Sequence, residues 1–125
     1  MIRGVGVDII EIDRIQKSID EVGEHFLRKL FTDNEIAYCS SKRVAAQHFA
    51  ARFAAKEALS KAVSTGWTGE FRWKDVEIAN EETGQPRIVL HGSLQATLSR
   101  CSVFVSLSHS HSHVVAMVVI EERTK

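Results

Sequence analysis

The sequence predicts an α+β fold, a small antiparallel sheet packed on one long helix. Three observations carry this. Val44 to Val63 holds eight alanines and no glycine or proline, the strongest helix signal in the chain. Ile2 to Ile10 alternates: Arg3, Val5, Val7 and Ile9 on one side, Ile2, Gly4, Gly6 and Asp8 on the other. Ser102 to Ser108 and Val114 to Glu121 are β-rich and flank a histidine-bearing turn, the pattern of a hairpin.

The elements follow in order. The first strand puts Asp8 on the face of two glycines, where another group can approach the backbone closely. A helix follows from Asp13, with Ile15 and Ile19 spaced i, i+4, and Gly23 interrupts it. His25 to Phe31 supplies another helical turn or two. Thr32-Asp33-Asn34-Glu35 has capping-box spacing and starts a short helix to about Cys39. The long helix takes Ser40 or Ser41 as its cap and ends at Gly66; Phe49 and Phe53 share one of its faces. Gly66 to Trp73 reads as a loop. Val76 to Ala79 and Arg87 to His91 are strands joined by a turn at Gly84 and Pro86, the only proline. Ser93 to Arg100 is a short helix before the final hairpin. No repeat, low-complexity tract or linker interrupts the chain, so residues 1–125 read as a single domain.

Composition excludes several classes. The chain is 44% hydrophobic and 26% charged, which excludes disorder as the dominant state. Sixteen basic residues balance sixteen acidic ones, against a nucleic-acid binder. The longest apolar run, Val114 to Ile120, has seven residues, far from the ~20 of a membrane helix, and no signal segment opens the chain. Cys39 and Cys101 make neither a disulfide framework nor a CxxC, so a cytoplasmic location is expected. From Val114 to Ile120 the last strand is apolar at every position, so both of its faces need cover.

Three features can carry chemistry. Asp8 stands between Val7 and Ile9 in a core-like strand, where a carboxylate needs a partner or a metal; the plainer reading is a strand-end cap for the next helix. Glu57 and Lys61 are i, i+4 on the long helix with Arg52 and Lys56 nearby. That is three cations around one carboxylate, either an anion site or a solvated charged face. His109, His111 and His113 alternate with Ser108, Ser110 and Ser112. They read as metal ligands if extended, as phosphate contacts in a turn, or as an exposed turn. One strand carboxylate and one helix carboxylate resemble a site for a hard cation such as Mg²⁺, with phosphate oxygens completing its shell. Phosphoryl chemistry follows, without a particular substrate.

The residues also resemble a known family. Gly4-Val5-Gly6-Val7-Asp8-Ile9 followed by Ile12, Arg14 and Ile15, Arg52-Phe53-Ala54-Ala55-Lys56-Glu57-Ala58 running through Lys61-Ala62 to Thr65-Gly66, and Val105-Ser106-Leu107-Ser108-His109 followed by Ala116 are similar to the three signatures of the holo-acyl-carrier-protein synthases, small bacterial 4′-phosphopantetheinyl transferases. Asp75-Val76-Glu77-Ile78 and Gly84-Gln85-Pro86 also fall where that family has such residues. Ser64 stands where the family usually has glycine, and His111 and His113 match no family residue.

The resemblance implies the 4′-phosphopantetheinyl transferase fold and a homotrimer with active sites between subunits. It implies Mg²⁺-dependent transfer of the 4′-phosphopantetheine of coenzyme A to a serine of apo acyl carrier protein, in fatty acid biosynthesis, releasing adenosine 3′,5′-bisphosphate. By the same resemblance Asp8 and Glu57 hold the metal, and Lys61 sits at the diphosphate. The proton acceptor is Glu57 or a metal-bound water. Arg52 and His109 contact coenzyme A phosphates, the Ser64 to Gly66 turn approaches the nucleotide, and Arg14, with Lys17 one turn on, docks the acidic carrier protein. Arg28, Lys29, Lys42 and Arg43 read as solubilising surface. His109 is expected to reach the site of the neighbouring subunit.

Overall fold

The computed structural model describes residues 1–64 and 71–123. It contains β1 (Ile2–Glu11), α1 (Ile12–Val22), α2 (Glu24–Leu30), α3 (Asp33–Ser40), α4 (Ala45–Val63), a 3₁₀ turn (Trp73–Asp75), β2 (Val76–Asn80), β3 (Pro86–Leu90), α5 (Gly92–Thr97), β4 (Cys101–His109) and β5 (His113–Glu122). The long helix, the short helices and the strands stand where periodicity placed them. The strands divide into two antiparallel sheets: a three-stranded sheet of order β1-β5-β4, and a separate β2-β3 ribbon. Pro86 opens β3 opposite Asn80, a strand start where its missing N–H does little harm.

The packing of α4 on the large sheet follows from residue size. A Cβ at Gly6 would overlap the carbonyl oxygen of Ala58, and one at Gly4 that of Ala62. Helix alanines thus rest directly on strand glycines. Buried Ala54, Ala55, Ala58 and Leu59 of α4 meet Val114, Ala116, Val118 and Ile120 of β5 in one core cluster. Asp8 lies on this same inner side of β1.

The outer side of the sheet is bare in the single chain. Register sets Val119 between Val5 and Phe104, and Val7 beside Met117. Val5, Val7, Ile9, Phe104 and Met117 are between 45% and 60% exposed. The need for cover on both faces of β5 is therefore met on one face by α4 and left open on the other.

Two local expectations are corrected. The start of α4 is not capped by Ser40 or Ser41. Its N-cap is Val44, with no side-chain cap bond among the described residues, and the Ser41 hydroxyl instead donates to the Tyr38 carbonyl at the end of α3. The segment between α3 and α4 is long enough for the serines to serve the earlier helix. At its other end α4 stops at Val63, with Ser64 as C-cap. The expected terminator, Gly66, lies outside the described residues. The Thr32 capping box is formed in both directions: its hydroxyl accepts from Glu35 N, and Thr32 N donates to Glu35 Oε1.

Candidate active site

Asp8 reaches its position because β1 alternates, with Gly4 and Gly6 letting α4 approach and the carboxylate coming next on that face. Its side chain is 14% exposed. Oδ1 accepts from Lys61 Nζ at 2.9 Å, and Lys61 also donates to the Val7 carbonyl at 3.1 Å. Oδ2 is buried, and among the described residues nothing donates to it.

Glu57 stands one turn before Lys61 on α4. Burial raises its carboxyl pKa above the ordinary range, the negative charge of Asp8 adds to the rise, and Lys61 opposes it. Two carboxylates and one ammonium thus share a small volume, with one acid oxygen short of a donor. That arrangement favours a further cation. Both carboxylates line a cleft of about 450 Å³ with Arg14, Ser18, Phe26 and Phe53. Arg14 therefore lies at the mouth of the carboxylate site. Lys17 is exposed on α1 and does not line that cleft.

The donor set suits a hard divalent ion. Two carboxylates leave most of an octahedral shell to water and substrate oxygens, the usual Mg²⁺ pattern. A tightly held transition metal is not supported: among the described residues no three His, Cys, Asp or Glu side chains gather in a possible metal site. His111 lies in the turn after β4 and His113 opens β5, where Ser110 Oγ accepts from His113 N and Ser112 Oγ pairs with His113 Nδ1. The three histidines thus straddle the β4-β5 turn, His109 closing β4, and do not gather as a metal site among the described residues.

The remaining expected site residues occupy another corner. Arg52 and Glu57 are five residues apart, ~140° around the helix, so they face different sides of α4. Arg52 is 3% exposed, stacks 4.3 Å from the Tyr38 ring centre and donates to Asn80 Oδ1. Its Nε has no acceptor among the described residues. Lys42 lies 4.6 Å from the same ring centre. His109, exposed at the end of β4, approaches Gln47 of α4 at 3.3 Å. His48 reports how these charges crowd together. Burial holds its pKa below the ordinary imidazole value, and Arg52, Lys42 and His109 lower it further. Arg52 and His109 thus both lie near His48, and neither lines the cleft of Asp8 and Glu57.

The idea of three cations around Glu57 is corrected. Lys56 is fully buried and bonds Glu35 Oε1 at 2.7 Å, so it offers nothing to a ligand. One residue on an α-helix turns ~100°, which carries Lys56 into the core while Glu57 meets the cleft. Ser64 caps the end of α4, its hydroxyl donating to the Lys61 carbonyl at 2.8 Å. Its φ of −59° is open to any residue, so the family's usual glycine is not required there. Gly66, expected at the nucleotide, lies outside the described residues.

Sequence reasoning missed Lys42 as a member of the cationic corner, His48 as its neighbour, and Ser18 and Phe26 as cleft walls. His48 was accessible, being i−4 to Arg52 on one helix. The others depend on how α1, α2 and α3 fold back on α4, which no local spacing reveals.

Comparison with known proteins shows the family of the chain. Residues 4–118 match the model of the 4′-phosphopantetheinyl transferase superfamily. The chain is 45% identical over 125 residues to a holo-[acyl-carrier-protein] synthase of Geotalea daltonii, covering 98% of this chain and 100% of that protein. A holo-(acyl-carrier-protein) synthase from Bacillus anthracis, solved in complex with CoA (3′,5′-ADP), superimposes with a TM-score of 0.83 at 37% identity, covering 98% of this chain and 99% of that one. The holo-[acyl-carrier-protein] synthase of Neisseria meningitidis superimposes with a TM-score of 0.87 at 30% identity, covering 98% and 100%. With its glycine-backed Asp8 beside Glu57 and a match along nearly its whole length, the chain belongs to the 4′-phosphopantetheinyl transferase superfamily and is a transferase.

Proposed function

We propose that the chain acts as one domain, residues 1–125, and moves the 4′-phosphopantetheine of coenzyme A onto a serine hydroxyl of apo acyl carrier protein. Adenosine 3′,5′-bisphosphate is the other product. The single observation that carries this is that Asp8 and Glu57 line one cleft, with a buried Asp8 oxygen lacking a donor and Lys61 bonded to the other. The bisphosphate product of the reading agrees with the 3′,5′-ADP described for the Bacillus anthracis relative.

Asp8 and Glu57 would hold Mg²⁺. Bound there, the ion supplies charge neutralisation on the pyrophosphate and a fixed line of attack. Lys61, about half exposed and held by Asp8 and the Val7 carbonyl, is free to turn toward the diphosphate and donate to the leaving oxygen. Glu57, with its raised pKa, is the protein group placed to take the serine proton. The serine oxygen bonds to the phosphorus bearing pantetheine as the bond to the bisphosphate oxygen breaks. Arg14, at the cleft mouth, faces the acidic carrier, with Lys17 extending the positive strip along α1.

The cationic corner of Arg52, Lys42 and His109 suits the remaining coenzyme A phosphate, and Ser64 with Gly66 the nucleotide. This corner lies on the other side of α4 from the carboxylates, so a site using both is most simply built from two subunits. The bare apolar side of the β1-β5-β4 sheet favours such an assembly, because a patch of that kind in water is a liability unless a partner covers it. We read the assembly as a homotrimer with His109 serving the neighbouring site. No helix among the described residues is long and apolar enough to cross a membrane. The reaction proposed belongs to fatty acid biosynthesis in the cytoplasm.

The test is direct. Incubate the protein with coenzyme A, Mg²⁺ and an apo carrier protein, then weigh the carrier. The expected gain is one phosphopantetheine per chain, abolished by EDTA and restored by Mg²⁺. An unmodified carrier, or full turnover in EDTA, overturns the reading.

A further inference from the structure

Helix α4 rests on the sheet through a smooth seam. Ala58 lies over Gly6 and Ala62 over Gly4, so at these two positions the helix backbone meets the strand with no side chain interlocking from β1. Yet Glu57 has to meet Asp8 from this helix. On a helix whose side chains reach ~5–6 Å from the axis, a turn of ~20° moves a carboxylate by about 2 Å. Misplacement of ~1 Å at a reacting centre can lower a rate by ~10²-fold.

The residue beside Glu57 opposes that rotation. Four acceptors surround Lys56 Nζ and share its three N–H groups: Glu35 Oε1 at 2.7 Å, the Leu30 carbonyl at 2.9 Å, the Trp73 carbonyl at 3.0 Å and the Val76 carbonyl at 2.6 Å. These acceptors come from the end of α2, from α3, from the 3₁₀ turn and from β2. Glu35, also enclosed, accepts from Thr32 N and from Ile78 N at 2.9 Å. One ammonium is thus tied to four elements, each fixed in turn by its own backbone bonds. A buried ion pair is a weak source of net stability, since apolar residues of similar size often do as well. What such residues cannot supply is direction.

We propose that Lys56 and Glu35 are positioning residues for the reaction: their buried pair locks the rotation of α4 so that Glu57 faces Asp8. This rests on the reading of Asp8 and Glu57 as the cation-binding pair. Neither Lys56 nor Glu35 touches the cleft; they act through Glu57.

The test compares wild type with Lys56→Met/Glu35→Gln, which removes both buried charges together. Three quantities are measured: thermal midpoint, Mn²⁺ affinity by calorimetry, and transfer kinetics against Mg²⁺ and coenzyme A. The lock predicts a folded variant whose Mn²⁺ affinity and kcat each fall at least ~10-fold, with a smaller change in the KM for coenzyme A. A purely structural pair lowers the thermal midpoint and leaves Mn²⁺ affinity and kcat of the folded protein unchanged; that result overturns the proposal. Should the double variant not fold, Glu35→Asp, which shortens the carboxylate arm by one carbon and keeps its charge, carries the same comparison. A several-fold loss of Mn²⁺ affinity then supports the lock, and wild-type values overturn it. Failure of the wild type itself to bind Mn²⁺ and transfer overturns the parent reading along with the lock, whereas a competent wild type matched by its variants removes the lock alone.

Discussion

Lys61 Nζ lies 2.9 Å from Oδ1 of Asp8, while the other oxygen of that carboxylate, Oδ2, is buried with no donor among the described residues. The lysine satisfies one oxygen of the acid and leaves the other without a donor, on a residue that shares its cleft with Glu57. A cation at that place would relieve both carboxylates. Several outcomes follow from this geometry and from the packing that creates it.

Glu57 makes stability depend on pH and on metal. Its folded pKa is raised, by burial first and by Asp8 second. The folded state therefore holds the proton more tightly than the unfolded one. Stability from this group is present at low pH and falls as pH rises through the raised folded value. Glu57→Gln, free of that loss, should melt higher than wild type at pH 7 without metal and show no such gain near pH 3. Mg²⁺ should raise the melting temperature of wild type and not of the variant. Parallel melting curves of the two proteins across pH, with and without Mg²⁺, would refute it.

Gly6→Ala should be severe. The new methyl would overlap the Ala58 carbonyl oxygen, which is helix backbone and cannot turn aside. The expected loss is about 3 kcal/mol or more, roughly a 10 °C fall in melting temperature for a domain of this size. Thermal unfolding followed by circular dichroism measures it, and a wild-type midpoint contradicts the packing.

Much of this was legible in the chain. Period-two alternation put Gly4, Gly6 and Asp8 on one face, and that face meets α4. The Thr32 capping box and the alanine-rich helix were read from spacing alone. Lys56 was not legible. Its partner Glu35 is distant in sequence, and a lysine beside a glutamate on a helix ordinarily reads as surface charge. The division of Arg52 from Glu57 followed from the helical repeat but needed α3 and β2 in place to show what each side of α4 meets. The separation of the β2-β3 ribbon from the larger sheet depended on long-range pairing, which strand propensity does not encode.

Docking should respond to charge at Arg14, which shares the cleft of Asp8 and Glu57. Arg14→Glu should raise the KM for carrier protein at least ~10-fold and that for coenzyme A little. Added salt should weaken wild type in the same direction, because screening shortens the reach of the attraction below the ~8 Å of physiological ionic strength. Steady-state kinetics with each substrate varied separately decides this. An unchanged carrier KM would remove Arg14 from the docking surface.

Sharing of the site between subunits predicts complementation. His109 approaches Gln47 of α4 and does not line the cleft of Asp8 and Glu57. Asp8→Ala and His109→Ala chains, each poorly active, should regain activity when unfolded and refolded together. The recovered fraction should follow the mixing ratio, since some interfaces then join an intact Asp8 to an intact His109. Mixed assemblies that form but remain as inactive as their parents would place both residues in one subunit's site.

The central claim is that Asp8 and Glu57 hold the cation that lets this chain hand phosphopantetheine to a carrier serine. The most direct measurement quantifies, in one reaction, adenosine 3′,5′-bisphosphate by chromatography and modified carrier by mass, for wild type, Asp8→Ala and Glu57→Ala. The expected result is a one-to-one yield of both products with wild type and Mg²⁺, and neither product from the folded variants. Bisphosphate released without carrier modification, or wild-type yields from either variant, would contradict it.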